Sequence, residues 1–85
     1  MIDETDLIER IVVIMRSCWD LPSDCNEGEL VAYAETLLHK IRDGEDMASL
    51  YSYLANVEVG NLDMPRSNVH YEIVDRSVAL VKNAV

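Results

Sequence analysis

The chain has 85 residues, which is enough for one domain but leaves no room for a second core. Apolar residues make up 49% of it, a composition typical of a folded domain and not of a disordered chain. The formal net charge of −9 excludes nucleic acid and anionic membrane surfaces as favoured direct partners, because both would be repelled. The same charge fits attraction to a basic protein.

The first predicted helix runs roughly from Asp6 to Cys18. Acidic residues at its start suit the positive end of a helix dipole, and apolar residues recur in it at helical spacing. Val13 falls nearly opposite the main apolar face, which leads us to expect burial on more than one side of this helix. Pro22 prevents the helix from continuing.

The central stretch predicts a hairpin of two helices joined by a tight polar turn. Asn26 with Glu29 three residues on forms a capping box, and helical apolar spacing then continues to about Arg42. Gly44 stands where a left-handed C-cap is expected. Asp46 is the predicted cap of the third helix.

The third predicted helix runs from about Met47 to Val57, and the fourth ends at about Asn83. The longest irregular stretch, from Glu58 to Ser67, separates them. Every long apolar pattern has helical period, and none alternates as a strand does. The sequence therefore predicts an all-α fold, a four-helix antiparallel bundle or a close variant, as one domain over residues 1–85.

No pattern indicates catalysis, a cofactor or a metal site. The serines lack a nucleophile-elbow or triad signature, and the acids at 43–46 lack the ligand spacing of a calcium loop. His39 and His70 have no ligand partner at helical spacing, so each is expected at the surface or its boundary. We therefore expect a protein that binds and does not catalyse.

Cys18 and Cys25 are the only cysteines, and they flank the first predicted loop. A disulfide between them is geometrically possible, but their spacing matches no zinc motif. Two reduced thiols in a cytoplasmic protein is the favoured interpretation. The sequence shows no secretory signal and no apolar run long enough to span a membrane, which supports the same localisation.

Acidic residues predict the candidate binding surface. In an up-down bundle, the first connection and the connection before the fourth helix share one end, where carboxylates outnumber basic residues. Exposed tyrosines beside carboxylates are a common hot-spot arrangement, although boundary tyrosines and a merely solvated acidic surface are equally ordinary. The predicted partner-binding residues are Asp20, Asp24, Glu27, Glu29, Glu58, Asp63, Tyr33 and Tyr53.

Two stretches carry a family resemblance. One is Ile41–Glu45, which ends a helix before an amphipathic one, and the other is Leu62–Ala84, an extended segment leading into a helix with Tyr71, Ile73 and Leu80. They resemble small bacterial toxin-immunity proteins, such as those paired with contact-dependent inhibition toxins, MafB-type toxins and colicin D. The resemblance implies a cytoplasmic inhibitor that blocks the active site of a nuclease toxin domain with acidic side chains. Such a partner must be basic to hold nucleic acid, which agrees with the charge.

A carrier domain is the alternative, because acyl carrier proteins are also small, acidic and four-helical. They present a serine in an Asp-Ser-Leu setting just before a helix, and the nearest match here is Ala48-Ser49-Leu50. The sequence departs from that pattern, since Ala48 replaces the aspartate and Ser49 falls inside the third predicted helix. A plain interaction or dimerisation module is a third interpretation, and the sequence leaves the oligomeric state open.

Overall fold

The computed structural model describes residues 3–19, 27–61 and 68–83. These residues are helical almost throughout, and no strand occurs among them, which confirms the predicted all-α fold. The elements are α1 (Glu4–Trp19), α2 (Glu27–Arg42), α3 (Met47–Asn56), a π-helical turn (Val57–Asn61) and α4 (Val69–Asn83).

Contacts between helix ends give the directions of the helices. Nε2 of His39, near the end of α2, lies 2.7 Å from Oε1 of Glu4 at the start of α1. Met47 at the start of α3 and Lys82 at the end of α4 line one groove. Since α1 packs against α2 and α4, and α3 packs against α4, consecutive helices run in opposite directions. The described residues thus form an antiparallel bundle of the predicted kind.

The core is apolar and draws on every helix. Burial of these side chains away from water supplies most of the stabilisation of the fold. The spacing of the buried positions in each helix follows the helical period, as expected from the sequence. The core residues are Leu7, Ile11, Val12, Met15, Trp19, Leu30, Ala34, Leu37, Leu38, Leu50, Leu54, Val57, Ile73, Val74 and Val81.

Two predictions about the ends and sides of helices are corrected by the structure. Val13 is 65% exposed, so the expectation that α1 is buried on more than one side is wrong. The reason is that α2 and α4, the helices that α1 packs against, leave the side chain of Val13 uncovered. The stretch predicted as irregular from Glu58 begins instead as a π-helical turn that prolongs α3 to Asn61.

The turn between α2 and α3 has the predicted left-handed glycine. Gly44 has φ +81°, its N–H donates to the Ile41 carbonyl at 3.1 Å, and the N–H of Glu45 donates to the Lys40 carbonyl at 3.2 Å. This pair of bonds is the Schellman motif, which satisfies carbonyls that a helix end would otherwise leave without donors. The left-handed conformation of Gly44 therefore ends α2 and begins the turn of the hairpin.

Gly44→Ala should lower the free energy of unfolding by about 1–2 kcal/mol, since a Cβ is strained in left-handed backbone. Among the described residues, no atom lies within 4 Å of the Cβ that would be added at Gly44 or at Gly60, so neither substitution meets a steric obstacle there. Gly60 has no positive φ, and Gly60→Ala is the matched control, expected to be neutral or slightly stabilising. Urea unfolding of both variants checks this, and equal effects would contradict the backbone explanation.

The start of α3 is capped as the sequence predicts. Oδ1 of Asp46 accepts the backbone N–H of Ser49 at 2.9 Å. The backbone hydrogen bond from Ser49, followed by the one from its side chain, lowers the pKa of the Asp46 carboxyl. A charged cap at this position also interacts favourably with the helix dipole. The hairpin turn thus satisfies both of the helix ends that it joins.

Candidate interaction surfaces

The predicted partner-binding residues fall into three groups in the structure. Asp20, Asp24 and Asp63 lie outside the described residues. Glu27 and Glu29 are exposed in the first turn of α2, where the sequence placed them. The remaining three, one glutamate and two tyrosines, are buried or half-buried.

Glu58 is the clearest correction. It is only 1% exposed, and its Oε1 lies 2.8 Å from Nδ1 of His70, which is also buried. The prediction that Glu58 belongs to an exposed acidic surface is wrong, and so is the expectation that His70 lies at the surface or its boundary. The reason is tertiary, because the π-helical turn and the start of α4 bring these two side chains together inside one end of the bundle. No local sequence signal marks such a pair.

Tyr33 and Tyr53 are brought together across the α2–α3 junction. The Tyr53 hydroxyl donates to the Tyr33 carbonyl at 3.4 Å, and Nζ of Lys40 lies 5.4 Å from the centroid of the Tyr53 ring. Burial is the main cause that raises the pKa of the Tyr53 hydroxyl. Both tyrosines are half-buried, and Tyr53 is held in place by α2. They border the surface of α2 and do not project from it.

Three exposed carboxylates of α2 lack a Lys or Arg partner among the described residues. Glu27, Glu29 and Glu35 are exposed, and no Lys or Arg among the described residues pairs with them. Elsewhere several carboxylates are neutralised locally, as in the pairs Asp6–Arg10 and Glu72–Arg76. We call Glu27, Glu29 and Glu35 the α2 acidic surface. Its carboxylates form no salt bridge with a Lys or Arg among the described residues, so they can attract a basic partner over a Debye length.

Between these glutamates the face of α2 is flat. Gly28 and Ala32 are exposed and lie between the edge with Glu35 and the edge with Glu29, as the helical period of 3.6 residues requires. Small residues allow another protein surface to approach the helix backbone closely. The exposed side chain of Val31 adds apolar area one helical turn before Glu35. The α2 acidic surface thus combines negative charge with small side chains that let a partner approach the helix backbone.

A second surface, which the sequence did not predict, lies on α3 and α4. Tyr71 is 45% exposed, and its ring centroid is 4.7 Å from that of Tyr51 with the rings at 72°. The Tyr51 hydroxyl donates to Oδ1 of Asp75 at 2.8 Å, and this hydrogen bond is the main cause that raises the pKa of Tyr51. Tyr51 is half-buried and packs against the core. The only sequence signal was that Tyr71 and Asp75 are one helical turn apart on α4.

A groove of about 390 Å³ lies between the start of α3 and the end of α4. Leu50 and Val78 supply apolar walls, Met47 is exposed at its edge, and Lys82 stands at the end of α4. Tyr51 is one turn after Met47, and Asp75 is nearly one turn before Val78. The groove and the tyrosine pair therefore follow each other along the same junction between α3 and α4.

Ser49, the residue of the carrier alternative, is exposed in the first turn of α3. Its backbone N–H donates to Oδ1 of Asp46. The residue before Ser49 is Ala48, where carrier proteins have aspartate. Within residues 3–19, 27–61 and 68–83, no group of His, Cys, Asp and Glu side chains is arranged to hold a metal ion. Over the same residues, no helix combines the length and the apolar character needed to cross a bilayer.

No family model, no curated protein and no solved structure matches this chain. The resemblance to toxin-immunity proteins is not tested by these comparisons and stays a prediction.

Proposed function

We propose that this protein is an immunity-type inhibitor that binds a basic nuclease toxin domain and covers its nucleic-acid-binding surface with carboxylates. The α2 acidic surface is the observation that carries the proposal. Its three glutamates are exposed and have no basic partner among the described residues, although the chain offers ion pairs to other acids. The net charge of −9 adds a long-range attraction to any basic protein.

The mechanism is occupation of a site by surface charge and shape. A nuclease holds phosphates with Lys and Arg side chains, and a carboxylate can take the place of a phosphate against such a side chain. The small residues Gly28 and Ala32 let the partner approach while Glu27, Glu29 and Glu35 meet its cations. This requires no reaction, no cofactor and no metal.

Charge complementarity of this kind has a kinetic signature. Raising the salt concentration should slow association with the partner more than it speeds dissociation, because salt screens the long-range attraction. The triple variant Glu27→Lys, Glu29→Lys and Glu35→Lys should bind at least about tenfold more weakly at low salt, where like charges would meet across the interface. Surface plasmon resonance against basic protein domains encoded by neighbouring genes, over a salt series, measures both.

The matched control reverses three other exposed acids, Asp3, Glu9 and Asp43, and changes the net charge equally. If only the total charge matters, both triple variants should lose the same affinity for the partner. That result would show that the α2 acidic surface is not the contact. Circular dichroism verifies that both variants remain helical. If no neighbouring gene product binds this protein or is neutralised by it, the immunity proposal itself is wrong.

The carrier alternative has one favourable observation, the exposed position of Ser49 in the first turn of α3. A serine so placed has access for attachment of a prosthetic arm. The intact mass of the protein after expression with a phosphopantetheinyl transferase decides between the two functions. An added arm that disappears in Ser49→Ala would support the carrier function, and an unmodified mass would reject it.

A further inference from the structure

We infer that a second surface, here called the α3–α4 strip, binds a basic segment of a protein partner. The strip consists of Tyr51, Tyr71, Asp75 and the neighbouring groove edged by Met47 and Val78. An Arg side chain of the segment lies along Tyr71 and pairs with Asp75, and an apolar side chain enters the groove. The inference concerns a different face from the α2 acidic surface, and it stands whether or not the partner is a nuclease.

Tyr71 has the properties of a binding anchor. It keeps 45% of its surface exposed, yet its ring is braced on two sides, by Tyr51 at 4.7 Å and by His70 at 4.3 Å between centroids. A rigid aromatic side chain loses little conformational entropy on binding, and tyrosine offers both apolar area and a hydroxyl. An exposed ring with fixed orientation is therefore prepared for contact before any partner arrives.

Asp75 gives the strip its preference for a cation. One of its oxygens accepts the Tyr51 hydroxyl at 2.8 Å, which holds the carboxylate beside the two rings. The nearby cation Arg76 is engaged with Glu72 at 2.7 Å, so its charge is already compensated. An incoming guanidinium can pair with the carboxylate while its carbon stem packs on the tyrosine ring. This charge complementarity selects a basic segment over an acidic or a purely apolar one.

The groove adds a second requirement. Leu50 and Val78 supply apolar walls, and Met47 is an exposed and adaptable side chain at its edge. The rest of the lining is Ile41, Gly44, Glu45, Asp46 and Lys82. The groove lies about one helical turn, or ~5 Å, from Asp75 along α4, since Val78 is three residues after Asp75. In an extended peptide, side chains at i and i+2 point to the same side about 7 Å apart. The sequence pattern Arg-X-Leu therefore matches the strip.

The experiment titrates the acetylated, amidated peptide Gly-Arg-Ser-Leu-Gly into the full chain labelled with ¹⁵N, and follows amide chemical shifts. Saturable shifts confined to residues 47–51 and 71–78 are expected. Replacing the peptide's Arg by Gln should weaken binding at least about threefold, and so should Tyr71→Ala or Asp75→Asn in the protein. Asp75→Asn keeps an oxygen that can accept the Tyr51 hydroxyl, so it removes the charge without removing the brace.

Other results would overturn the inference. They are shifts that do not saturate, shifts centred on Glu27, Glu29 and Glu35, or equal binding of the Arg and Gln peptides. The inference would also be overturned if Tyr71→Ala and Asp75→Asn both bound the peptide as tightly as the unsubstituted protein does. The triple α2 reversal Glu27→Lys, Glu29→Lys and Glu35→Lys is the control. It should leave the location of the shifts unchanged, which separates failure of the strip from failure of the α2 acidic surface.

Discussion

Glu58→Ala should lower the free energy of unfolding by about 1–3 kcal/mol, the usual cost of leaving a buried polar group without its partner. Oε1 of Glu58 lies 2.8 Å from Nδ1 of His70, and the two side chains are 1% and 8% exposed. After the substitution, the buried imidazole loses the carboxylate beside it. A domain of this size has a total stability of only about 5–15 kcal/mol, so the variant should unfold at a clearly lower urea concentration.

Glu72→Ala is the matched control for Glu58→Ala. The Glu72–Arg76 pair has a similar separation, 2.7 Å, but both side chains are 53% exposed. Solvent screens such a pair, and its loss should cost less than about 1 kcal/mol. Urea unfolding followed by circular dichroism compares the two. If Glu58→Ala and Glu72→Ala lowered the free energy of unfolding equally, burial would not explain how much the Glu58–His70 contact stabilises the protein.

A double replacement separates the pair from its surroundings. Glu58→Leu with His70→Leu removes both polar groups and should be less destabilising than either single substitution, because neither charge nor imidazole is left without a partner. The coupling is the difference between the effect of the double variant and the sum of the effects of Glu58→Leu and His70→Leu. It can be measured without the Glu58→Ala variant. Additive effects of the two leucines would show that the side chains do not act together.

Ile11→Ala should lower the free energy of unfolding by about 2–5 kcal/mol, since it removes a fully buried aliphatic side chain from α1 and leaves a cavity. Val13→Ala, two residues further along the same helix, should change stability by no more than about 0.5 kcal/mol, because Val13 is 65% exposed. The gain in helix propensity from Val to Ala acts in the stabilising direction. Thermal and urea unfolding of both variants measure the contrast.

This pair of variants tests the direction in which α1 faces. The two positions lie in a continuous apolar run, in which hydrophobicity alone does not identify the buried residues. If Val13→Ala were as destabilising as Ile11→Ala, α1 would be covered on both sides. The exposed position of Val13 on the outside of the bundle would then be wrong. A partner that covers Val13 would instead leave the stability of the free protein unchanged by Val13→Ala.

The sequence by itself determined the features that depend on neighbouring residues. Helical apolar spacing determined that the fold is helical, since a period near 3.6 residues gives a helix one apolar side. Gly44 determined the left-handed turn, because the conformation at φ +81° is strained for a residue with a Cβ. Asp46 determined the start of α3 by accepting the Ser49 N–H. Glu27 and Glu29 were placed correctly in an exposed first turn by the same local chemistry.

Only the tertiary structure decided which polar residues face inward and which side chains meet. Glu58 and His70 pair because a π-helical turn and the start of α4 converge, and neither residue type normally predicts burial. Tyr51, Tyr71 and Asp75 form one surface because α3 and α4 pack side by side. Their contacts join residues of different helices, and such contacts depend on how whole helices pack against each other. Local chemistry sets where each helix begins and ends, whereas packing selects the side that meets a partner.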